Sequence, residues 1–162
     1  MKLYHGSNIP VETPRILTAL HTADFGTGFY TTSSLSQAKR WSKVKTRRRR
    51  KGQPSVTMFE FDIIKASVEL EIKKFDSANE DWLDFIVSNR TGMYKGEKYD
   101  LVVGPVADDD AITVLDDYMS GAYPKEIALQ LLEPQNLKDQ YTFLTKKSLG
   151  YISLIGVEYF EI

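Results

Sequence analysis

The sequence predicts an α+β fold, and three observations carry the prediction. Residues 55–63 and 67–73 alternate apolar and polar side chains with the two-residue period of half-buried strands. Short segments elsewhere place apolar residues at helical spacing behind a capping residue or a first-turn proline. No internal repeat, low-complexity stretch or linker divides the 162 residues, a length that suits one domain over 1–162 with a core of its own.

Taken in order, residues 1–5 read as an opening strand. Residues 8–27 read as irregular, punctuated by Pro10, Pro14 and Gly26, and residues 28–32 as a strand leaving a glycine turn. Ser34 or Ser36 caps a helix through Trp41, with Leu35, Ala38 and Trp41 on one face; it is expected to fray into the arginines that follow and to end by Gly52-Gln53-Pro54. In 55–63, Val56 and Met58 suit a half-buried strand. In 67–73, Val68, Leu70 and Ile72 are expected inside and Glu69, Glu71 and Lys73 outside. Ser77 to Glu80 has capping-box spacing and introduces a helix with Trp82, Leu83, Phe85 and Ile86 as its apolar stripe, ending near Asn89-Arg90. Tyr99 to Gly104 reads as a buried strand. Asp108 to Met119 reads as a helix with acids at its positive end. Pro124 starts another helix, with Ile127, Leu131 and Leu132 facing in, and 140–144 and 156–162 read as closing strands.

Composition narrows function by exclusion. A net charge of -1 sets up no global field for nucleic acid or membrane, although Lys43 to Lys51 is a local basic run and Asp108, Asp109 and Asp110 form an acidic step. There are no cysteines, so disulfides and thiolate zinc sites are out, which fits a reducing cytosol. No apolar signal core opens the chain and no apolar run reaches membrane-spanning length, so a cytoplasmic protein is expected.

Two segments could carry chemistry by their residue types. In Leu-Tyr-His-Gly-Ser at 3–7, the ring of His5 can hydrogen-bond a ribose hydroxyl, and Gly6 lets a planar ligand approach its backbone. A surface turn with an incidental histidine is the plain alternative. In Phe-Gly-Thr-Gly-Phe-Tyr-Thr-Thr at 25–32, Gly26 and Gly28 deliver Phe29 and Tyr30 into a strand, and the face of Tyr30 suits a cationic nicotinamide ring. The alternative is that Phe29 and Tyr30 merely alternate between core and surface. The glycine pair is not a Rossmann fingerprint, because no third glycine and no helix follow where that motif needs them.

Gly-Thr-Gly-Phe-Tyr-Thr-Thr followed by Ser-Leu-Ser-Gln-Ala-Lys-Arg-Trp resembles the catalytic segment of poly(ADP-ribose) polymerases and diphtheria-toxin-like ADP-ribosyltransferases. Across nearly the whole chain the sequence is similar to the DUF3990 group, small bacterial proteins placed in the ADP-ribosyltransferase superfamily. Tyr-His-Gly-Ser, Asp-Phe-Gly-x-Gly-Phe-Tyr, Trp82-Leu83, Phe85-Ile86, Asn89-Arg90, Tyr-Asp-Leu-Val-Val-Gly-Pro-Val-Ala-Asp-Asp and Gln-Tyr-Thr-Phe-Leu-Thr carry that likeness. The resemblance implies an ADP-ribosyltransferase-like fold: two packed, antiparallel-rich sheets forming an NAD cleft, with short flanking helices. It implies NAD as a substrate and no metal. His5, Gly6 and Ser7 with Gly28 would hold the dinucleotide, Tyr30 and Trp41 would sandwich nicotinamide, and Ala38 would fill the small-residue position. It also implies a small helical antitoxin-like protein as partner, and a protein or nucleic acid as acceptor.

The third motif position departs from the active enzymes of the resemblance, which have a glutamate there. Gln140 can still hydrogen-bond the ribose but cannot offset developing positive charge. A charge-assisted hydrogen bond is worth about 1.5–3 kcal/mol and a neutral one about 0.5–1.5, so the loss is about one or two powers of ten in rate. Asp108 and Asp109 follow a Gly-Pro turn, where loop residues reach a cleft. They read either as a substitute base or acceptor contact, or as helix caps. Asp24 and Asp139 are lesser candidates for the missing acid. Arg90 reads either as a grip on a pyrophosphate or as a cation on a helix C-terminus. His21 has no partner at metal-ligand spacing. The run at 43–51 reads as a solvated loop or as a dock for an anionic acceptor.

The expectation is therefore a mono-ADP-ribosyltransferase with His5, Tyr30 and Gln140 as its catalytic set. The rivals are a degenerate NAD- or ADP-ribose-binding module, and a nucleic-acid- or partner-binding protein that uses the basic run.

Overall fold

The computed structural model describes residues 1–16, 24–135 and 138–162. Among these, seven strands and six helices alternate irregularly, a mixed α+β architecture. The expected strand opening the chain is β1 (Lys2–Ser7), and β2 (Phe29–Thr32) leaves the glycine turn as read. β3 (Ser55–Phe61), β4 (Ile72–Lys74), β5 (Leu101–Pro105), β6 (Asp139–Phe143) and β7 (Ile152–Tyr159) complete the set. They join in the order β4-β5-β6-β2-β1-β3-β7, antiparallel throughout except for β4 against β5.

This is one hydrogen-bonded sheet, where two packed sheets were expected. The reason lies at the β1–β2 junction, where a single register pair, Tyr4 with Thr32, joins the halves β4-β5-β6-β2 and β1-β3-β7. By contrast, β1 and β3 pair over six residues, from Lys2–Glu60 to Ser7–Ser55.

Each sheet face buries its own core. Strand alternation puts Leu3, Phe29, Phe59, Phe61, Leu101 and Phe143 on one face, closed by Ala66 and Leu70. The other face carries Val102 under Trp82, Leu83 and Ile86 of α3 (Glu80–Arg90), with Leu115 of α4 (Asp109–Met119) and Leu132 of α5 (Lys125–Leu132). Trp82 is fully buried and donates its indole N–H to the carbonyl of Pro105 at 2.9 Å, so its polar edge is satisfied.

α1 (Leu35–Arg49) lies on this second face. Ser34 caps it, its side chain accepting from Gln37 N, and no acid occupies its first turn. The expected fraying beyond Trp41 into the arginines does not occur. The helix continues through the basic run to Arg49 and stops at Arg50, which takes the left-handed conformation at φ 52°. Buried Ser42 and Thr46 seat the second half of the helix, and Arg47, Arg48 and Arg49 meet the negative end of its dipole.

Other expectations need correction. Residues 67–73 are not one strand: α2 (Ile63–Glu69) is capped by Asp62, and the chain becomes extended only at Ile72. This helix touches the core through Ala66 and leaves Val68 83% exposed, against expectation, while Leu70 is buried and Glu69 and Glu71 are exposed as read. The N-cap of α3 is Asn79, accepting from Trp82 N, in place of a box at Ser77. In α5 the buried residues are Ala128 and Leu132, while Ile127 and Leu131 are exposed. The final strand begins at Ile152, and β7, an edge strand, leaves Leu154, Ile155 and Tyr159 exposed.

Gly6 sets how close α1 approaches the sheet. A Cβ there would lie 2.0 Å from the Ala38 carbonyl oxygen, backbone that cannot step aside. Gly6→Ala is therefore expected to destabilise the fold by about 3 kcal/mol or more, the upper range for overpacking. A denaturant midpoint within error of the wild type would show that α1 can lift off β1.

Candidate functional site

The three motif strands, far apart in sequence, are neighbours in the order β6-β2-β1. Thr32 pairs with Gln140, Gln140 with Gly104, and Tyr30 with Thr142. Alternation therefore puts Tyr30, Gln140 and Thr142 on the face that carries α1, together with Gly6. His5 has the opposite parity in β1. Its ring stacks on Phe29 at 4.4 Å, over the other core.

His5 Nδ1 lies 2.7 Å from the Tyr30 carbonyl oxygen. A carbonyl can only accept, so Nδ1 carries the proton and the neutral ring keeps Nε2 as an acceptor. Burial pushes the pKa of His5 down to about 4. The bond to Tyr30 opposes this and the charge of Lys45 adds to it. The ring thus occupies the place where β1 and β2 stop pairing.

Tyr30 is locked through its hydroxyl, which donates to the Gly26 carbonyl at 2.6 Å and accepts from Phe25 N–H at 3.0 Å. Burial raises its pKa, so it remains a phenol. The loop it holds is anchored a second time, because Arg90 contacts Asp24 Oδ1 through Nη2 at 2.6 Å and Nε at 2.7 Å. Burial raises the pKa of Asp24 while Arg90 works against the shift. Arg90, expected either at a pyrophosphate or on a helix end, is found in this ion pair at the C-terminal end of α3. Gly28 allows close packing, since a Cβ would meet the Phe143 carbonyl at 2.6 Å.

Gln140 is 3% exposed and its Nε2 has no hydrogen-bond partner among the described residues. Gln37 Nε2 and Thr142 Oγ1 share that condition on this side of the sheet, and Gln135 Oε1, just beyond α5, is the fourth such atom among the described residues. An unsatisfied buried donor costs about 1–3 kcal/mol, so three such atoms on one side of a sheet mark a surface built for something polar. Neither Gln37 nor Thr142 stands out in the sequence. Gln37 is adjacent to Ala38 in the motif, but a glutamine in a first helical turn reads as a surface residue until its burial is seen.

A family model described as "Protein of unknown function (DUF3990)" matches residues 1–154. The chain belongs to this family. No curated protein is similar enough to match it. The match takes in every candidate from His5 to Gln140 in this DUF3990 protein.

The remaining candidates line two small cavities beside α1. One, of about 330 Å³, is bounded by Ser36, Gln37, Arg40, Val106, Asp108 and Lys138. The next, of about 320 Å³, shares Arg40 and Asp108 and adds Trp41, Lys45, Arg48, Arg49 and Asp109 among its walls. Asp108 is also the N-cap of α4, accepting from Ala111 N at 2.9 Å, so it both caps a helix and borders a cavity. Neither cavity is lined by His5, Tyr30 or Gln140. Ala38 is fully buried against Gly6, and Ser7 is buried with its carbonyl accepting from Ser55 Oγ. A larger cavity of about 530 Å³ lies between the approach to α3 and α5, and Asp139 is the one candidate on its wall. His21 lies outside the described residues. Among the described residues no group of three or more His, Asp or Glu side chains is placed to hold a metal ion, and no helix is long and apolar enough to cross a membrane.

The lowered pKa of His5 fixes a pH dependence. The unfolded chain binds this proton below about 6.5 and the folded chain only below about 4. Stability contributed at His5 is therefore present above pH 6.5 and lost as pH falls towards 4, by an amount on the order of 2 kcal/mol. Chemical denaturation between pH 7 and pH 4.5 should show that loss in the wild type and a flatter profile in His5→Asn. Parallel profiles would show that His5 is not desolvated.

Proposed function

We propose that this DUF3990 protein is an NAD-dependent mono-ADP-ribosyltransferase with an ADP-ribosyltransferase-like fold. In this reading it is the toxin of a bacterial toxin–antitoxin-like pair, acting in the cytoplasm and neutralised by a small helical partner. The observation that carries the reading is the adjacency of β1, β2 and β6, which brings together three motifs otherwise separated by most of the chain. The likeness of those motifs to the transferase segment supplies the chemistry.

NAD is the substrate. Gly6 and the acceptor lone pair of His5 Nε2 lie at the β1–β2 gap, where the nicotinamide and ribose ends of the dinucleotide would be held; Ser7 and Gly28 flank it. Tyr30 and Trp41 clamp nicotinamide, and Ala38 is the small residue at which α1 closes on Gly6. Gln140 turns its unpartnered amide to the ribose 2′-hydroxyl. The bond from C1′ to the pyridinium nitrogen breaks, nicotinamide leaves with the electron pair, and the acceptor attacks C1′ and gives up a proton. Positioning supplies most of the rate, because an amide cannot neutralise an oxocarbenium-like charge. Elongation to a polymer is disfavoured for the same reason. Entry of nicotinamide requires the Gly26 loop to open, since the hydroxyl of Tyr30 and the Asp24–Arg90 pair now hold it down.

The amide at Gln140 is also the observation that favours a second reading, in which the protein binds NAD or ADP-ribose without transfer. Release of nicotinamide from NAD separates the two. Turnover is expected in the wild type, collapse in Tyr30→Ala, retention of the ring's contribution in Tyr30→Phe, and a gain of about ten- to a hundredfold in Gln140→Glu. NAD binding with no release by the wild type or by Gln140→Glu, in proteins with native circular dichroism, would leave the binding module.

A further inference from the structure

The first turn of α1 presents a set of groups that the transferase reading leaves unused. The helix has fifteen residues, and its cap Ser34 satisfies Gln37 N, leaving the N–H groups of Leu35 and Ser36 without intrahelical partners. No acid sits in that turn to compensate the positive end of the dipole. The cavity of about 330 Å³ opens there. Arg40 stands on one wall and Lys138 on another, both exposed at the mouth. Neither is in an ion pair among the described residues. Gln37 forms part of the lining, 7% exposed, with Nε2 buried and unpartnered. A turn of that amide into the cavity would give it an acceptor.

The backbone around the cavity is fixed. Val106 N–H donates to the Lys138 carbonyl at 2.7 Å. Asp108, the one carboxylate on the wall, commits Oδ1 to Ala111 N–H. The adjoining cavity shares Arg40 and Asp108 and sets Lys45, Arg48 and Arg49 against Asp109, and the pKa of Lys45 is lowered by burial and then by Arg49.

We infer that the cavity at the first turn of α1 is a phosphate site, formed by Arg40, Lys138, the amide of Gln37 and the free N–H groups of the helix. Helix N-termini and unpaired arginines both favour an oxyanion with several acceptor oxygens. Val106 lies two residues beyond Gly104, the register partner of Gln140, so the site adjoins the Gln140 rung of the sheet. The phosphate belongs to the acceptor, which would then be a phosphorylated molecule brought to the ribose carbon by its own charge. That assignment rests on the transferase reading, whereas phosphate binding by the cavity does not.

The test is titration of the purified chain by calorimetry with inorganic phosphate, a 5′-phosphorylated trinucleotide, its unphosphorylated counterpart, and NAD. The wild type is expected to bind phosphate and the phosphorylated trinucleotide saturably, and the unphosphorylated one at least about tenfold more weakly. Arg40→Gln and Lys138→Gln, both surface changes that leave the melting curve alone, should each weaken phosphate by about tenfold. Gln37→Leu, which keeps the volume and removes the amide, should weaken it with no loss of stability. Saturable binding that ignores all three substitutions, or no saturable binding by millimolar phosphate, overturns the site. If NAD binds undiminished alongside phosphate, the phosphate is the acceptor's. Competition, with NAD weakened by the same substitutions, keeps the site and gives it to the diphosphate of the dinucleotide. Failure of nicotinamide release with phosphate binding intact removes the transferase reading alone.

Discussion

The structure depends on how β1 and β2 meet. Between them lies the shortest ladder of the sheet among the described residues, the pair Tyr4–Thr32, flanked by the longer ladders of β1 with β3 and of β2 with β6. Beyond that pair the strands stop exchanging backbone hydrogen bonds in register, and the ring of His5 takes the Tyr30 carbonyl instead. A side chain replaces a ladder bond, so the two halves of the sheet are held together without being zipped shut. On the α1 face this junction is closed from above by the contact of Gly6 with Ala38. Strand pairing, the tautomer of His5, the seat of α1 and the orientation of Tyr30 all follow from this narrow seam.

Three of the four buried side-chain atoms left without a partner among the described residues gather on the same side. Gln140, Thr142 and Gln37 bury groups that nothing in the fold uses, while Tyr30 and Arg90 are spent on holding the Gly26 loop. A structure that satisfies its loop anchors fully and its floor incompletely separates the side chains that hold the fold from those it leaves unpaired. The amide at Gln140 belongs to the second group. Burying a carboxylate there without a partner would be far more costly than burying an amide.

Much of this was legible in the sequence where burial drives the pattern. β5 is buried at every position and reads as a continuous apolar run; α4 begins at the aspartate that caps it; Trp82, Leu83 and Ile86 keep helical spacing and are fully buried. The reading failed where a helix owes its existence to one contact. α2 is held by Ala66, and its isoleucines and Val68 point to water, so their alternation imitates a strand. It failed again in α1, where arginines suggest a loop but buried Ser42 and Thr46, two small polar residues with no apolar signature, seat the helix. The motif residues could be located as motifs. The sequence could not show that His5 faces away from Tyr30 and Gln140, because that needs the register of strands more than a hundred residues apart. Nor could it single out Gln37, whose role is visible only from its burial.

The continuation of α1 through its cations has a mechanical consequence. From Lys39 to Lys51 the chain holds nine lysines and arginines and no acid, nine of the 21 basic residues of the whole protein. Helical geometry stacks these charges one turn apart, where they repel. The far end of the helix is therefore a loaded spring, kept closed by Ser42 and Thr46 against the sheet and by the left-handed stop at Arg50. Mobile ions relax such a spring by screening, and a polyanion relaxes it more. The fold is thereby coupled to its ionic surroundings through one helix: in dilute buffer α1 should be the first element to unwind from its C-terminal end, and beside a polyanion it should be among the last.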